Sequence, residues 1–290
     1  MTAKKADPTS EEALIQSWLS ARAGVSIRKV WPGENLDAAF EGFSRDALRH
    51  ARVNPPESVR AVEKVTASDR KNLAPANRIK LVRLYAHALS HAGQLKASDR
   101  HYRRAWDLSV KLNLREQIVF TGLGWTNILS LLGHYEEAKR IGHYAMSRLK
   151  NSERVLKARL SNNLGVVYHR WGKFEQAVTL LKESRRQLKA LGFRYDFAYV
   201  TYTLGHSLLL QGEDLRFARK CIEEGRAYFA ENKLHTLDLY ARTALALADL
   251  SDGHYRKAME TLEELHDDLE KLGDKRATAL ILRQQAEFLG

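Results

Sequence analysis

At 290 residues the chain has room for one or two domains, and a 44% hydrophobic content supplies a sizeable core. The single cysteine, Cys221, excludes an internal disulfide framework and fits a reducing compartment. A net charge of +12 keeps nucleic acid, anionic lipid and acidic protein in view as partners, whereas the absence of a long apolar run and of a signal-peptide core argues against a membrane span and for a cytoplasmic location.

Residues 1–33 read as an N-terminal extension with one short helix. Thr9-Ser10-Glu11-Glu12 offers a capping box ahead of Ala13, Leu14, Trp18 and Leu19, and the helix is expected to run to about Ala23. Residues 25–31 are too short to assign, and Trp31-Pro32-Gly33 is a break. Residues 34–75 read as a degenerate helix pair that caps the N-terminal end of a repeat array. Its first helix carries Leu36, Phe40, Phe43, Ala47 and Leu48 at helical spacing. Asn54-Pro55-Pro56 then ends that helix and starts a second, with Val59, Val62 and Val65 on one face.

From residue 76 to residue 273 a single pattern recurs five times. Its clearest copy spans residues 158–192, where Leu164, Val167 and Tyr168 form an apolar stripe before Gly172, and Phe174, Ala177, Val178 and Leu181 form another after it. The spacing predicts two amphipathic helices joined at the glycine. The glycine returns at Gly93, Gly133, Gly172, Gly212 and Gly253, in steps of 40, 39, 40 and 41 residues. Two residues beyond it stands Leu95, Tyr135, Phe174 or Tyr255, and five beyond it the small Ser98, Ala138, Ala177 or Ala258. In the fourth copy Leu215 and Ala218 are displaced by one residue, as if Gly212-Glu213-Asp214 held an insertion. Eight before the glycine stand Tyr85, Trp125, Leu164, Leu204 and Leu245, the expected core position of each first helix. Residues 274–290 carry Ala277, Leu280, Ile281 and Leu289 and are read either as a C-terminal capping helix, with a monomer expected, or as a truncated sixth repeat.

Leu164-Gly165, Tyr168, Gly172, Phe174 and Ala177 stand at the offsets of a tetratricopeptide repeat, and the array resembles that family. The resemblance implies an all-α, right-handed superhelical solenoid of antiparallel helix pairs, about fourteen helices in all. The period exceeds the 34 residues of the commonest such repeat by about six, which lengthens each helix. In that respect the array is similar to those of kinesin light chains and of bacterial signalling and effector proteins, and the implied function is protein or peptide binding on the concave face, as a sensing or docking module.

In the family the first-helix residues about 13, 10, 9, 6 and 3 before the turn glycine face the inside of the superhelix. Those offsets give Lys80, Arg83, His87, Asn127, Arg159, Asn162, Asn163, His169, Tyr199, Tyr202, His206 and Tyr240. Asparagine can donate to and accept from a peptide backbone at once, and arginine suits carboxylates. Arg83, Arg159 and Asn163 resemble part of the family's carboxylate-holding clamp, although Gly124 stands where that clamp has an asparagine. Asn162-Asn163-Leu164-Gly165 is similar to the asparagine pairs of longer-period arrays.

The charge is uneven: residues 76–230 hold 27 Lys or Arg against 13 Asp or Glu, and residues 231–290 hold 8 against 12. A basic middle makes nucleic-acid or other polyanion binding the alternative function. Its bland reading is that Arg100, Arg103, Arg104, Arg185, Arg186 and Lys189 solvate the outer helices. No phosphate loop, nucleophile elbow, HExxH or CxxC occurs, so neither an enzyme nor a cofactor is expected. His87 and His91, four apart on one helix, lack a nearby third ligand, and no metal site is expected there.

Overall fold

The computed structural model describes residues 11–271, and those residues hold thirteen α-helices, two short 3-10 turns and no strand. The packing divides the chain into two units, Met1–Leu149 and Lys150–Gly290.

In the first unit, α1 is Glu11–Ser20, α2 Leu36–Val53, α3 Pro55–Ser68, α4 Pro75–His91, α5 Leu95–Lys111, α6 Arg115–Leu131 and α7 Tyr135–Ser147. Helix α1 stops three residues short of Ala23. The Lys64 ammonium of α3 donates to the carbonyls of Trp18, Leu19 and Ala21, so a cation sits at the negative end of the helix. The capping residues Thr9 and Ser10 lie outside the described residues. Ile27–Lys29, too short to assign from spacing, is a 3-10 turn that buries Ile27, and Trp31 is buried just after it. The Trp31 indole donates to Asp46 at 2.8 Å and meets Trp18 and Phe43 edge-on, while the Ile27 N–H donates to Asp69. Asn54 ends α2 and caps α3 through its side-chain oxygen, with proline at the first turn, where no N–H is needed.

In the second unit, α8 is Arg154–Arg170, α9 Phe174–Ala190, α10 Arg194–Gln211, α11 Leu215–Glu231, α12 His235–Ser251 and α13 Tyr255–Lys271. Its core runs through Ala158, Ala177 and Leu181 to Leu204, Ile222, Phe229, Ala244 and Leu247. Residues 272–290 lie outside the described residues, and with them the reading of residues 274–290.

Each helix pair closes on its glycine. Gly93, Gly133, Gly172, Gly212 and Gly253 all adopt φ between 74° and 81°, a left-handed conformation that glycine alone reaches without strain. The next residue sends its N–H back to a carbonyl five positions earlier, as Lys173 does to Tyr168 at 2.9 Å, which is a Schellman cap. The next helix then begins on the large apolar residue that the spacing marked: Leu95, Tyr135, Phe174, Leu215 or Tyr255. The fourth turn absorbs its extra residue by placing Asp214 at φ 43°, from where its carboxylate accepts the N–H of Phe217. Ser98, Ala138, Ala177, Ala218 and Ala258 are all fully buried, so the two helices of each pair meet over a small side chain. Of the expected core positions, Trp125, Leu164 and Leu204 are buried, but Tyr85 and Leu245 are only half-buried. The Tyr85 ring lies edge-on to His101 and its hydroxyl reaches out to Glu63 at 2.5 Å, so it bridges to α3.

Candidate functional site

The expected lining residues fall on the first helix of each pair; within the first unit α4 meets α6, and within the second α10 meets both α8 and α12. In the first unit Lys80, Arg83 and His87 follow one another along α4 and Asn127 stands on α6. All four are half-buried. Lys80 is already paired with Glu41 of α2 at 2.5 Å. Arg83 is not: its Nε is buried without a partner among the described residues, and the guanidinium rests 5.1 Å above the Phe120 ring. Burial pushes its pKa down. Burial also pushes His87 down to about 3, helped by His91, Arg52 and Arg83, and it raises Tyr102 to about 12. The His87 and His91 rings meet edge-on at 4.6 Å.

In the second unit the expected residues lie along α8, α10 and α12. Arg159 is held in a two-pronged bond by Asp196 of α10, Nε at 3.2 Å and Nη2 at 2.8 Å, over the Phe193 ring. Asn162 donates to Asn163 at 3.4 Å, and its Oδ1 is buried without a partner. His169 of α8 meets His206 of α10 with ring centroids 4.8 Å apart, and His206 lies 6.0 Å from the buried Tyr202 ring. His169 Nδ1 and Ser207 Oγ are 2.9 Å apart; because the Ser207 hydroxyl donates to the Thr203 carbonyl, its oxygen accepts from the imidazole, which fixes the proton on Nδ1. Buried His206 Nε2 has no partner, and burial pushes that ring down to about 4. Burial likewise raises Tyr202, with Tyr199 and Tyr240 beside it. Tyr199 and Tyr240 are half-buried against the same core.

No protein-family description and no curated protein sequence matches this chain. Solved structures do. A Rap protein complexed with competence and sporulation factor superposes with a TM-score of 0.62 over 99% of this chain and 87% of its own, at 14% identity. Aspartyl phosphate phosphatase F from Bacillus subtilis gives 0.61 over 93% and 65%, at 12% identity. A signal transduction ATPase with a tetratricopeptide repeat sensor, from Pyrococcus horikoshii, gives 0.59 over 94% of this chain and 43% of its own, at 13% identity. The fold is tetratricopeptide-repeat-like.

Within this tetratricopeptide-repeat-like chain the residues that resemble a carboxylate clamp are not equivalent. Arg159 is occupied by Asp196, and Arg83 keeps a buried nitrogen unbonded. Gly124, in place of the asparagine, is explained by Tyr102: a Cβ there would overlap the buried Tyr102 hydroxyl. Sequence reasoning missed Asp196, Ser207 and Glu41. The signal was present, because each stands 37 to 39 residues from its partner, close to one repeat period, and the charged two have the opposite sign.

The outer helices correct a second expectation. Arg185 does not merely solvate α9: it donates to Thr201 at 3.0 Å and to Glu224 of α11 at 2.8 Å, with its guanidinium over the Phe197 and Phe217 rings. Arg103 likewise grips Glu137 of α7 with two nitrogens over the Trp125 ring. Arg186 is the exposed one, bonded to Glu183 on its own helix. Asp249, Asp252 and His254 lie within 4.8 Å of one another, but Arg219 and Lys257 already bond the carboxylates, so the cluster ties α11, α12 and α13 together. No helix among the described residues is long and apolar enough to cross a membrane.

Proposed function

We propose that this chain is a binding module rather than an enzyme, and that it takes an extended protein or peptide segment along the faces that its first helices present. The observation that carries the reading is the set of polar atoms buried there without partners: Arg83 Nε in the first unit, Asn162 Oδ1 and His206 Nε2 in the second. A buried unpaired polar atom costs about 1–3 kcal/mol, and an extended segment, with a donor and an acceptor on each residue, is the kind of ligand that relieves it. The similar Rap structure holds competence and sporulation factor, and the Pyrococcus horikoshii protein is described as having a tetratricopeptide repeat sensor. These likenesses support a sensing or docking role in a bacterial signalling system. The buried, unbonded Nε of Arg83 favours a segment with an acidic side chain or a C-terminal carboxylate.

Polyanion binding has less behind it, because Arg103, Arg185 and Arg186 are engaged in ion pairs. The test is selection of peptides from a displayed random library on the purified chain, with calorimetry on variants afterwards. Arg83→Ala and Asn162→Ala are each expected to weaken the selected peptide by about 1–3 kcal/mol with little change in melting temperature. Arg186→Ala is the control and leaves affinity unchanged. Binding that ignores Arg83 and Asn162 yet falls steeply with salt would replace this reading with the electrostatic one.

A further inference from the structure

The lining of the second unit contains one group whose chemistry goes beyond a general peptide surface. His206 stands where α8, α10 and α12 come together, and its Nε2 is buried without a partner. The groups that face it are His169 from α8 and Tyr202 from α10 itself; Arg170 of α8, Tyr199 of α10 and Tyr240 of α12 act on Tyr202 behind it. From α9, Phe174 meets His169 at 5.9 Å, and Arg185 reaches α10 at Thr201, where Glu224 of α11 compensates it. Asp196, at the other end of α10, is bound by Arg159. Among the described residues, imidazole and phenol rings thus flank His206, and burial is what displaces its titration.

Such a lining suits an acceptor with negative charge. A phenol can donate, and a charge-assisted bond from a protonated imidazole to a carboxylate is roughly twice as strong as its neutral counterpart. We propose that His206, backed by His169, is a proton-linked subsite for one carboxylate of the bound segment. The identity of the occupant rests on the peptide-binding function proposed for the chain; the subsite itself does not. Burial keeps His206 neutral at neutral pH. A carboxylate placed against Nε2 removes the reason for that, because an adjacent opposite charge favours the charged form. Binding therefore takes up a proton and tightens as pH falls, while the ligand carboxylate stays ionised down to about pH 5.

The experiment is an NMR titration of the histidine ring resonances in the full chain, with sodium acetate as the probe, acetamide as its neutral counterpart and sodium chloride matching the ionic strength. His206→Gln assigns the resonance, and His206→Asn serves if that variant is unstable. Acetate is expected to raise the His206 midpoint by about one unit or more, which is a roughly tenfold preference of the protonated ring for acetate, while acetamide leaves it in place. A midpoint unmoved by acetate overturns the subsite, and so does an equal shift with acetamide. Either result leaves the peptide reading with Arg83 and Asn162, the two residues its own test probes; loss of peptide binding with a persisting acetate shift would do the reverse.

Discussion

Arg185 and Arg186 are adjacent in sequence and opposite in consequence. The first is three-quarters buried and bridges three helices; the second is 74% exposed and bonds within its own turn. Truncating Arg185 leaves Thr201 and Glu224 without their donor and removes the contact of its stem with two rings, so Arg185→Ala is expected to destabilise the fold by about 1–3 kcal/mol. Arg186→Ala is expected to leave the urea midpoint where it is. Equal midpoints for the two variants would mean that the α9–α11 bridge contributes nothing. The pair also shows what a sequence hides at this scale. Both arginines occupy plausible outer positions, and only the 39-residue reach to Glu224 separates them.

At the scale of an element, the fourth turn is where the repeat departs from its own rule. The other four turns pass from a glycine into a helix through one residue; here Glu213 and Asp214 intervene, and Asp214 takes φ 43°. Aspartate is among the few residues that reach this region by bonding locally, and its carboxylate caps α11 at Phe217. Asp214→Asn preserves both properties and is expected to be neutral. Asp214→Ala loses the cap and keeps the strain, at a cost of about 1–2 kcal/mol by thermal denaturation. Gly172→Ala is expected to cost a similar amount: its Cβ would meet nothing within 4 Å, so the penalty comes from φ +78° alone. The turn glycines were legible because a helix end of this type admits almost nothing else, whereas the role of Asp214 was legible only as an irregularity in spacing.

At the scale of the whole molecule, partly buried histidines contribute to the response to acid. Burial lowers His87 to about 3 and His206 to about 4, and lowers His91 and His101 as well. In the unfolded chain these rings titrate near their ordinary value of about 6.5. The folded form is therefore favoured fully above that pH, where both states are neutral. Its advantage is lost as pH falls through the window from about 6.5 to about 4, where only the unfolded chain takes up protons. His206 alone accounts for about 3 kcal/mol at about 1.4 kcal/mol per unit. Denaturant midpoints measured from about pH 7 down to about pH 4.5 are expected to fall continuously, and His206→Gln to flatten that slope. A midpoint independent of pH over this range would contradict the burial of these rings.

Sequence alone determined the repeated helix pairs, because pairs that pack only on their neighbours must repeat the same solution about every 40 residues. Glycine at the turn, a large residue two places on and a small one at five are each imposed by local backbone geometry or by close helix contact, and so leave a periodic trace. The spacing also assigned the candidate binding residues to the first helices, where they stand. Only the tertiary structure decided their state. Lys80 and Arg159 have their charges taken by Glu41 and Asp196, whereas Arg83, Asn162 and His206 are left with buried atoms unbonded. That difference depends on which side chain arrives from the next helix and on how much water is excluded, and neither quantity is a property of local sequence.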